Sequence, residues 1–246
     1  MDKTSGLKDN ASKKSKVLPE IGKQIDAVRL AHGYSRPDLS RDAKIAAAQL
    51  NEIINGKLNP TLDALDRIAQ TLNVPSDYLL ITHHDDFLLY AIDDYLYRLR
   101  MDSFGTLLLD ALSLIGVQDE VLQTIREQMD SFSASIAQRC SVPDIPSWKE
   151  KIRRFRKEAG YTQVTASEAA AVSYNHYAKY ENEITGMSLP PHLRICLLYG
   201  KSSESITSEN RADMVLTKEQ LESLRLLGRE RLTLLLESLR TIYENS

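Results

Sequence analysis

Residues 33–54 read GYSRPDLSRDAKIAAAQLNEII, and residues 160–181 read GYTQVTASEAAAVSYNHYAKYE. The two stretches match in one gapless register with an offset of 127 residues, and the match extends outward on both sides. The first segment runs from about Leu18 to Leu80, and the second runs from about Ser147 to Ile206. A packed helical core fixes which positions are apolar and where the turns fall, so the repeat predicts that both segments share one fold.

Identity and apolar character both persist at this offset. The identical pairs are Ile25 and Ile152, Arg29 and Arg156, Gly33-Tyr34 and Gly160-Tyr161, Ala43 and Ala170, Asn55 and Asn182, and Arg67-Ile68 and Arg194-Ile195. The apolar pairs include Val28 and Phe155, Ile45 and Val172, Leu50 and Tyr177, Ile53 and Tyr180, Leu72 and Tyr199, and Leu79 and Ile206. Apolar residues recur three or four apart, without the alternation of strands, so we expect an all-α chain.

Turn and capping residues divide the first segment into five short helices. A first helix carries Ile21 to Leu30 and stops at Gly33, and Ser35 is the predicted cap of a second. A third helix covers about Ala46 to Asn55, and a fourth covers Thr61 to Leu72. A short capped helix closes the segment at about Leu79.

The second segment resembles the helix-turn-helix of the lambda-repressor-like, Xre-type transcriptional regulators, through Gly160-Tyr161-Thr162-Gln163, Ala169 to Ser173, and Tyr180-Glu181. The first segment resembles the same family through Gly33-Tyr34-Ser35, Leu39, Ala43, Ile45, Ile53, Asn55 to Pro60, and the stretch from Leu62 to Leu80. The two resemblances cover about half of the chain. They imply that in each segment the third helix lies in the major groove of double-stranded DNA, while the second crosses the phosphate backbone.

The resemblance implies which side chains read DNA in the second segment. The helix that would enter the groove is the recognition helix, here called the reading helix. In the second segment it begins at Ser173, the predicted cap, and Tyr177 and Tyr180 take buried family positions. Gln163 stands where the family touches phosphate and supports the base-reading residues. The expected reading surface is Gln163, Tyr174, Asn175, His176 and Lys179. Asparagine can pair bidentately with adenine, and lysine can reach guanine or phosphate.

The first segment departs from this pattern at its reading helix. Ala46-Ala47-Ala48 offer methyl groups that can touch a thymine methyl, but they form no side-chain hydrogen bonds. Arg36 replaces Gln163, and Lys44 replaces the glycine that the family usually has in the turn. The expected contacts are Arg36, Lys44, Ala47, Ala48, Gln49, Asn51, Asn55 and Lys57. Two interpretations remain: this segment binds DNA through backbone and shape, or it contacts a protein.

Charge is distributed unevenly along a chain whose formal net charge is −3. Lysine and arginine minus aspartate and glutamate gives +3 for 1–17, −1 for 18–80, −7 for 81–146, +3 for 147–206 and −1 for 207–246. Six of the ten residues 148–157 are lysine or arginine. The local field attracts phosphate, so we expect this helix to face DNA.

The sequence predicts five parts. Residues 1–16 form a disordered basic tail, residues 17–81 and 147–207 form helix-turn-helix domains, and residues 82–146 form an acidic helical connector. The connector helices are expected at Asp86–Met101, Ser103–Ile115 and Gln118–Arg139. Residues 208–246 contain one leucine-rich helix, which begins at a capping box of Thr217 and Gln220. This helix either packs on its own chain or pairs two chains.

The remaining features predict no catalytic centre. Cys140 and Cys196 are too few for a disulfide framework, so we expect a reducing cytoplasm, and Cys196 is expected to be a small core residue. His83-His84-Asp85-Asp86 are too local to close a metal site, so a solvated loop is expected, with no metal and no cofactor. No apolar run approaches the ~20 residues that span a bilayer, so we expect a soluble protein and no membrane partner.

These observations predict a non-enzymatic, cytoplasmic, nucleoid-associated transcriptional regulator. It would bind a double-stranded DNA operator, act as a repressor, and read bases mainly with the second segment. A homodimer would form if the leucine-rich helix pairs two chains. The alternative is a protein-interaction regulator, or an antitoxin-like protein, whose helix-turn-helix domains partly serve as docking modules for a protein partner.

Overall fold

The computed structural model describes residues 17–99, 147–182, 188–208, 211 and 213–245. These residues form helices and no strand. The helices are α1 (Pro19–Ala31), α2 (Arg36–Asp42), α3 (Ala47–Ile54), α4 (Leu62–Thr71), a 3₁₀ helix (Ser76–Leu80), α5 (Asp86–Leu99), α6 (Trp148–Glu158), α7 (Gln163–Ala169), α8 (Tyr174–Asn182), α9 (Leu189–Tyr199), α10 (Ser203–Thr207), α11 (Lys218–Arg225) and α12 (Gly228–Glu244).

The first segment folds around the apolar residues that its sequence predicts. Ser35 caps α2 by accepting a hydrogen bond from Asp38 N, as expected, and Thr61 caps α4 in the same way. Ile21, Ile25, Leu50 and Ile53 are completely or almost completely buried. The first and third helices approach so closely at Gly22 that a Cβ there would lie 2.1 Å from the Ile53 carbonyl oxygen.

The helix bounds of the second segment fall at the sequence offset. Arg36–Asp42 becomes Gln163–Ala169, and Ser76–Leu80 becomes Ser203–Thr207. The other paired helices agree to within two residues at each end. The turns agree as well, because Lys44 and Ala171 both have positive φ, at 54° and 50°. Neither position has the glycine that this conformation favours.

Side-chain bonds inside the two segments also repeat at the offset. Gln24 Nε2 donates to the carbonyl oxygen of Tyr78, and Lys151 Nζ donates to that of Ser205. Arg156 Nη1 donates to the carbonyl oxygen of Tyr161, and Arg29 Nη1 makes the matching bond to Tyr34. The 127-residue repeat is therefore present in contacts as well as in helix bounds.

The C-terminal region corrects the expectation of one long helix. Leu226 and Leu227 separate α11 from α12, and Gly228, the first residue of α12, adopts a φ of 76°. Helix α12 packs along α5 and buries Leu232, Leu235, Leu236 and Leu239. Of the two interpretations of this tail, the structure shows packing on its own chain.

Helix α5 contacts both segments and carries two buried carboxylates. Asp93 and Asp94 pair with Arg211, and all three side chains are at most 1% exposed. The predicted solvated loop is found at His84 and Asp85, which are exposed, and the structure adds two ion pairs there, Asp85 with Arg229 and Asp86 with Arg225. Ion pairs therefore attach the start of α5 to the C-terminal helices.

Several predictions concern residues outside the described ranges. These are the basic tail 1–16, the connector helices 103–115 and 118–139, and Cys140. The first connector helix is described as Asp86–Leu99. None of the described helices is long and apolar enough to cross a membrane. Among the same residues, no group of histidine, cysteine and carboxylate side chains is arranged to hold a metal ion.

Candidate nucleic-acid interface

The second segment exposes the predicted reading surface on α8. Tyr174, Asn175, His176 and Lys179 are on the outer side of the helix, and Tyr174 retains 48% of its accessible surface. On the opposite face Tyr177 and Tyr180 are buried, at 0% and 1%, as the sequence predicts. The Tyr177 hydroxyl is hydrogen-bonded to the Tyr199 hydroxyl, and the Tyr180 ring packs edge-on against Trp148, which fixes the rotation of α8 about its axis. The four polar side chains consequently share one outward face.

Ser173 lies at the start of this surface and holds His176. His176 N donates to Ser173 Oγ at 3.4 Å, so Ser173 occupies the predicted capping position. The same Oγ lies 3.0 Å from His176 Nδ1. This contact engages one ring nitrogen and leaves Nε2 as the atom available to a base or a phosphate.

Gln163 is held in place by the buried side chain of Glu181, a residue to which the sequence analysis assigned no role in the site. Its Nε2 donates to Glu181 Oε2 at 2.7 Å, and Tyr174 OH donates to its Oε1 at 3.4 Å. Glu181 is fully buried and also accepts from Arg156 Nε at 2.5 Å. That hydrogen bond raises the pKa of Arg156. The only signal in the sequence was a carboxylate at the position where the first segment has Ile54.

The first segment exposes a different surface on α3. Ala47, Ala48, Asn51 and Asn55 lie on the outer side of the helix or at its end, whereas Gln49 is half-buried against the helix. Lys57 follows the helix and is exposed. This face presents methyl groups at its beginning and amides further along.

Arg36 contacts two neighbouring side chains of the first segment. Its Nη2 lies 3.3 Å from Asp26 Oδ2, and its Nη1 donates to Asn51 Oδ1 at 3.4 Å. Burial opposes ionisation of Asp26, but hydrogen bonds from Arg29 and Arg36 lower the pKa of its carboxyl. Arg36 thus contacts Asn51 much as Gln163 contacts Tyr174, and its side chain is 37% exposed, so its contact with phosphate stays a prediction. Lys44 stays exposed in the turn.

The basic helix α6 departs from expectation, because three of its six cations are bonded to partners within the protein. Lys151 is fully buried, and its ammonium group donates to the carbonyl oxygens of Ser205, Ser208 and Arg211. Burial, with smaller effects from Arg211 and Arg154, lowers the pKa of Lys151 to about 8. Arg154 pairs with Asp213 at 3.2 Å.

Arg156 is the third of these cations, through its pair with Glu181. Lys149 is half-buried, while Arg153 and Lys157 lie towards solvent. A charge count along the sequence could not separate these groups, since the partners lie 25 to 60 residues away in the chain.

Cys196 occupies the core, as predicted. Its thiol is fully buried and lies 3.4 Å from His192 Nε2. Burial raises the pKa of the Cys196 thiol and lowers that of His192 to about 3. Both groups are therefore neutral, unlike the thiolate and imidazolium of a reactive pair.

Residues 25–79 match the family model described as Helix-turn-helix, of the Xre-like type. This part of the chain is therefore one helix-turn-helix domain, and it indicates a DNA-binding transcription regulator. No curated protein and no solved structure matches the chain.

Proposed function

We propose that the protein is a sequence-specific regulator of transcription that binds double-stranded DNA with two helix-turn-helix domains. The domain at residues 25–79 is the first. We infer a second domain at 147–207 from the matching helix bounds, the matching left-handed turn and the repeated side-chain bonds. On this proposal the protein acts by binding DNA and not by catalysis. It does so in the cytoplasm, where it can reach the chromosome.

The observation that carries the proposal is the exposed polar face of α8. A helix that enters the major groove reads sequence through side chains that reach base edges. Asn175 has the donor and acceptor that match adenine, Lys179 supplies a cation, and Ser173 leaves one nitrogen of His176 available. Glu181 and Gln163 support the face from beneath. The second domain thus supplies most of the base reading.

Repression is the sign of regulation that this binding mode favours. A protein that occupies the major groove at a promoter excludes other proteins from the same DNA, so we propose that the chain lowers transcription. A reporter gene with the bound sequence inserted downstream of its promoter should lose expression when the chain is produced.

Selection of bound duplexes from a randomised pool tests the proposal directly. The purified chain should enrich one motif. Hydroxyl-radical footprinting should show that the protein protects this motif and that changes in α8 weaken the protection. A pool that shows no enrichment after repeated rounds, although the protein is folded, would overturn the proposal.

A second candidate is a regulator whose first domain docks a protein. It is favoured by the methyl face of Ala46 to Ala48 and by Leu58, which is 38% exposed beyond the end of α3. The variant Ala48→Asp separates the candidates. If α3 lies on DNA, a carboxylate beside phosphates should lower the affinity at least tenfold, whereas a docking α3 leaves the affinity unchanged.

A further inference from the structure

Equivalent residues of the two segments meet each other directly. Thr61 and Ser188 form an isolated antiparallel bridge, and they are separated by the 127 residues of the repeat. Each is the residue that precedes its fourth helix, α4 or α9. Two antiparallel residues are related by a local twofold axis through the centre of the pair. Because the members are also equivalent in the repeat, that axis relates the two segments here.

A second meeting of equivalents lies in the closing helices. Asp77 Oδ1 accepts from Ser203 N and Oδ2 accepts from Glu204 N, both at 3.0 Å. Ser203 and Glu204 are the counterparts of Ser76 and Asp77 at the same offset. The 3₁₀ helix therefore packs against its own equivalent, α10.

Two separate points at which counterparts touch define the line of an approximate twofold axis. A twofold axis places equivalent helices at the same height along it and reverses the component of their direction that is perpendicular to it. Helix α3 ends at Ile54, seven residues before Thr61, and α8 ends at Asn182, six residues before Ser188. Because α3 and α8 are equivalent under the repeat, the axis places both at the same height along it.

Charged side chains between the segments fix this arrangement. The guanidinium of Arg98 on α5 bonds the Val74 carbonyl oxygen of the first segment at 3.3 Å and Glu204 of the second at 3.0 Å. Asp77, which joins the segments, is fully buried. The symmetry is approximate because Glu204 binds Arg98, while its counterpart Asp77 binds backbone amides. The segments are therefore held as one rigid pair.

We propose that a single chain is a built-in pseudo-dimer that binds one imperfect inverted repeat, with α3 and α8 in neighbouring major-groove segments. This rests on the proposed function. Half-sites related by a twofold axis lie on opposite strands, with centres about 10 base pairs apart when the helices enter successive turns of the groove. The half-site beneath α8 is strictly specified. The half-site beneath α3 tolerates changes and favours thymine methyl groups, because Ala47 and Ala48 are exposed there.

This proposal needs no second chain. The leucines that would pair two chains, Leu232, Leu235, Leu236 and Leu239, are buried against the protein itself. An ordinary palindrome would require two identical reading helices, whereas this chain supplies two different ones.

Native mass spectrometry and a spacing series on the selected duplex test the proposal without altering the protein. We expect one chain per duplex. Inserting five or ten base pairs between the half-sites should each weaken binding to the level of a single half-site, at least 100-fold, because a rigid pair cannot follow the displaced half-site.

Footprints of the double variant Asn175→Ala, Lys179→Ala provide the internal check. Protection should weaken over one half-site and persist over the other. Two chains per duplex, or an affinity unaffected by both insertions, would overturn the pseudo-dimer while leaving DNA binding intact. Failure of every duplex to bind would instead overturn the proposed function as well.

Discussion

Gln163 donates its amide hydrogen to the buried carboxylate of Glu181 at 2.7 Å, so the reading surface of α8 is supported by a charge inside the protein. The same carboxylate pairs with Arg156. The support is absent from the first segment, where Ile54 takes the place of Glu181.

The variant Glu181→Ala should weaken both folding and specific binding. Removing a buried acceptor leaves Arg156 and Gln163 without their partner, which costs about 1–3 kcal/mol in unfolding free energy. Urea titration measures that loss, and fluorescence anisotropy measures binding to the selected duplex. The control Gln163→Ala removes only the surface contact and should affect binding more than stability. Unchanged affinity in the Glu181→Ala variant would show that the support has no role in reading.

The variants Asn175→Ala and Lys179→Ala should each lose more specific affinity than Gln49→Ala or Ala47→Ser. The reason is that the exposed polar readers are concentrated on α8, and a good bidentate base contact contributes about 1–3 kcal/mol of discrimination. Band-shift titrations of all four variants on one duplex at fixed salt compare them. Equal losses in both helices would contradict the assignment.

Salt should weaken binding. The dependence on salt should be smaller than expected if all six cations of α6 contacted phosphates. Each neutralised phosphate contributes a slope of about 0.9 in log affinity against log salt. Lys151→Gln should leave that slope unchanged and destabilise the fold, because its ammonium group is buried. Arg153→Gln and Lys157→Gln should each lower the slope and spare the fold. The prediction is wrong if Lys151→Gln changes the slope and Arg153→Gln does not.

Stability should depend on pH through Asp66, on α4. Burial, followed by the charges of Asp77 and Glu204, raises the pKa of Asp66 to about 7, against an ordinary 3.8. Between these values the folded state binds the proton more tightly, so this contribution to stability falls as pH rises from about 4 to about 7.

The unfolding free energy of Asp66→Asn should therefore rise relative to that of the wild-type protein as the pH increases across that interval. The difference should persist above pH 7. Comparing the two proteins removes the opposing effect of His192, whose lowered pKa makes stability rise with pH. Asp63→Asn is the control on the same helix, since Asp63 is 78% exposed. Parallel stability curves for the Asp66→Asn variant and the wild-type protein would rule out this assignment.

Neighbouring leucines on α12 test whether the tail stabilises its own chain. Leu235 is 1% exposed, and Leu234 is 48% exposed. Leu235→Ala should lower the unfolding free energy by about 2–5 kcal/mol, and Leu234→Ala should change it by less than about 0.5 kcal/mol. Sedimentation should report one species of unchanged mass for both. A fall in mass with Leu235→Ala would instead indicate that the tail pairs chains.

The sequence was enough to predict part of the site. The family resemblance implied the burial of Tyr177 and Tyr180 and the exposure of Asn175 and Lys179, and the structure has both. The cap at Ser35 was predictable from local pattern, because it depends on three neighbouring residues.

Features that depend on distant partners could not be predicted in this way. Lys151 looked like a phosphate-facing cation until its carbonyl partners, 54 to 60 residues later, were placed beside it. Likewise, nothing local to Thr61 indicates that Ser188 lies opposite it. Side chains with a long reach, such as lysine and arginine, are the least predictable because packing decides whether they face water or the interior.

The unlike faces of α3 and α8 give the bound complex a direction. A reader made of two identical halves fits its operator equally well after rotation by half a turn, but a chain with alanines on one helix and polar side chains on the other does not. On our proposal every bound molecule has the same polarity along the chromosome. Helix α12, which contacts Tyr78 and Asn73 of the first domain, would always lie on the same side, upstream or downstream, of the bound DNA.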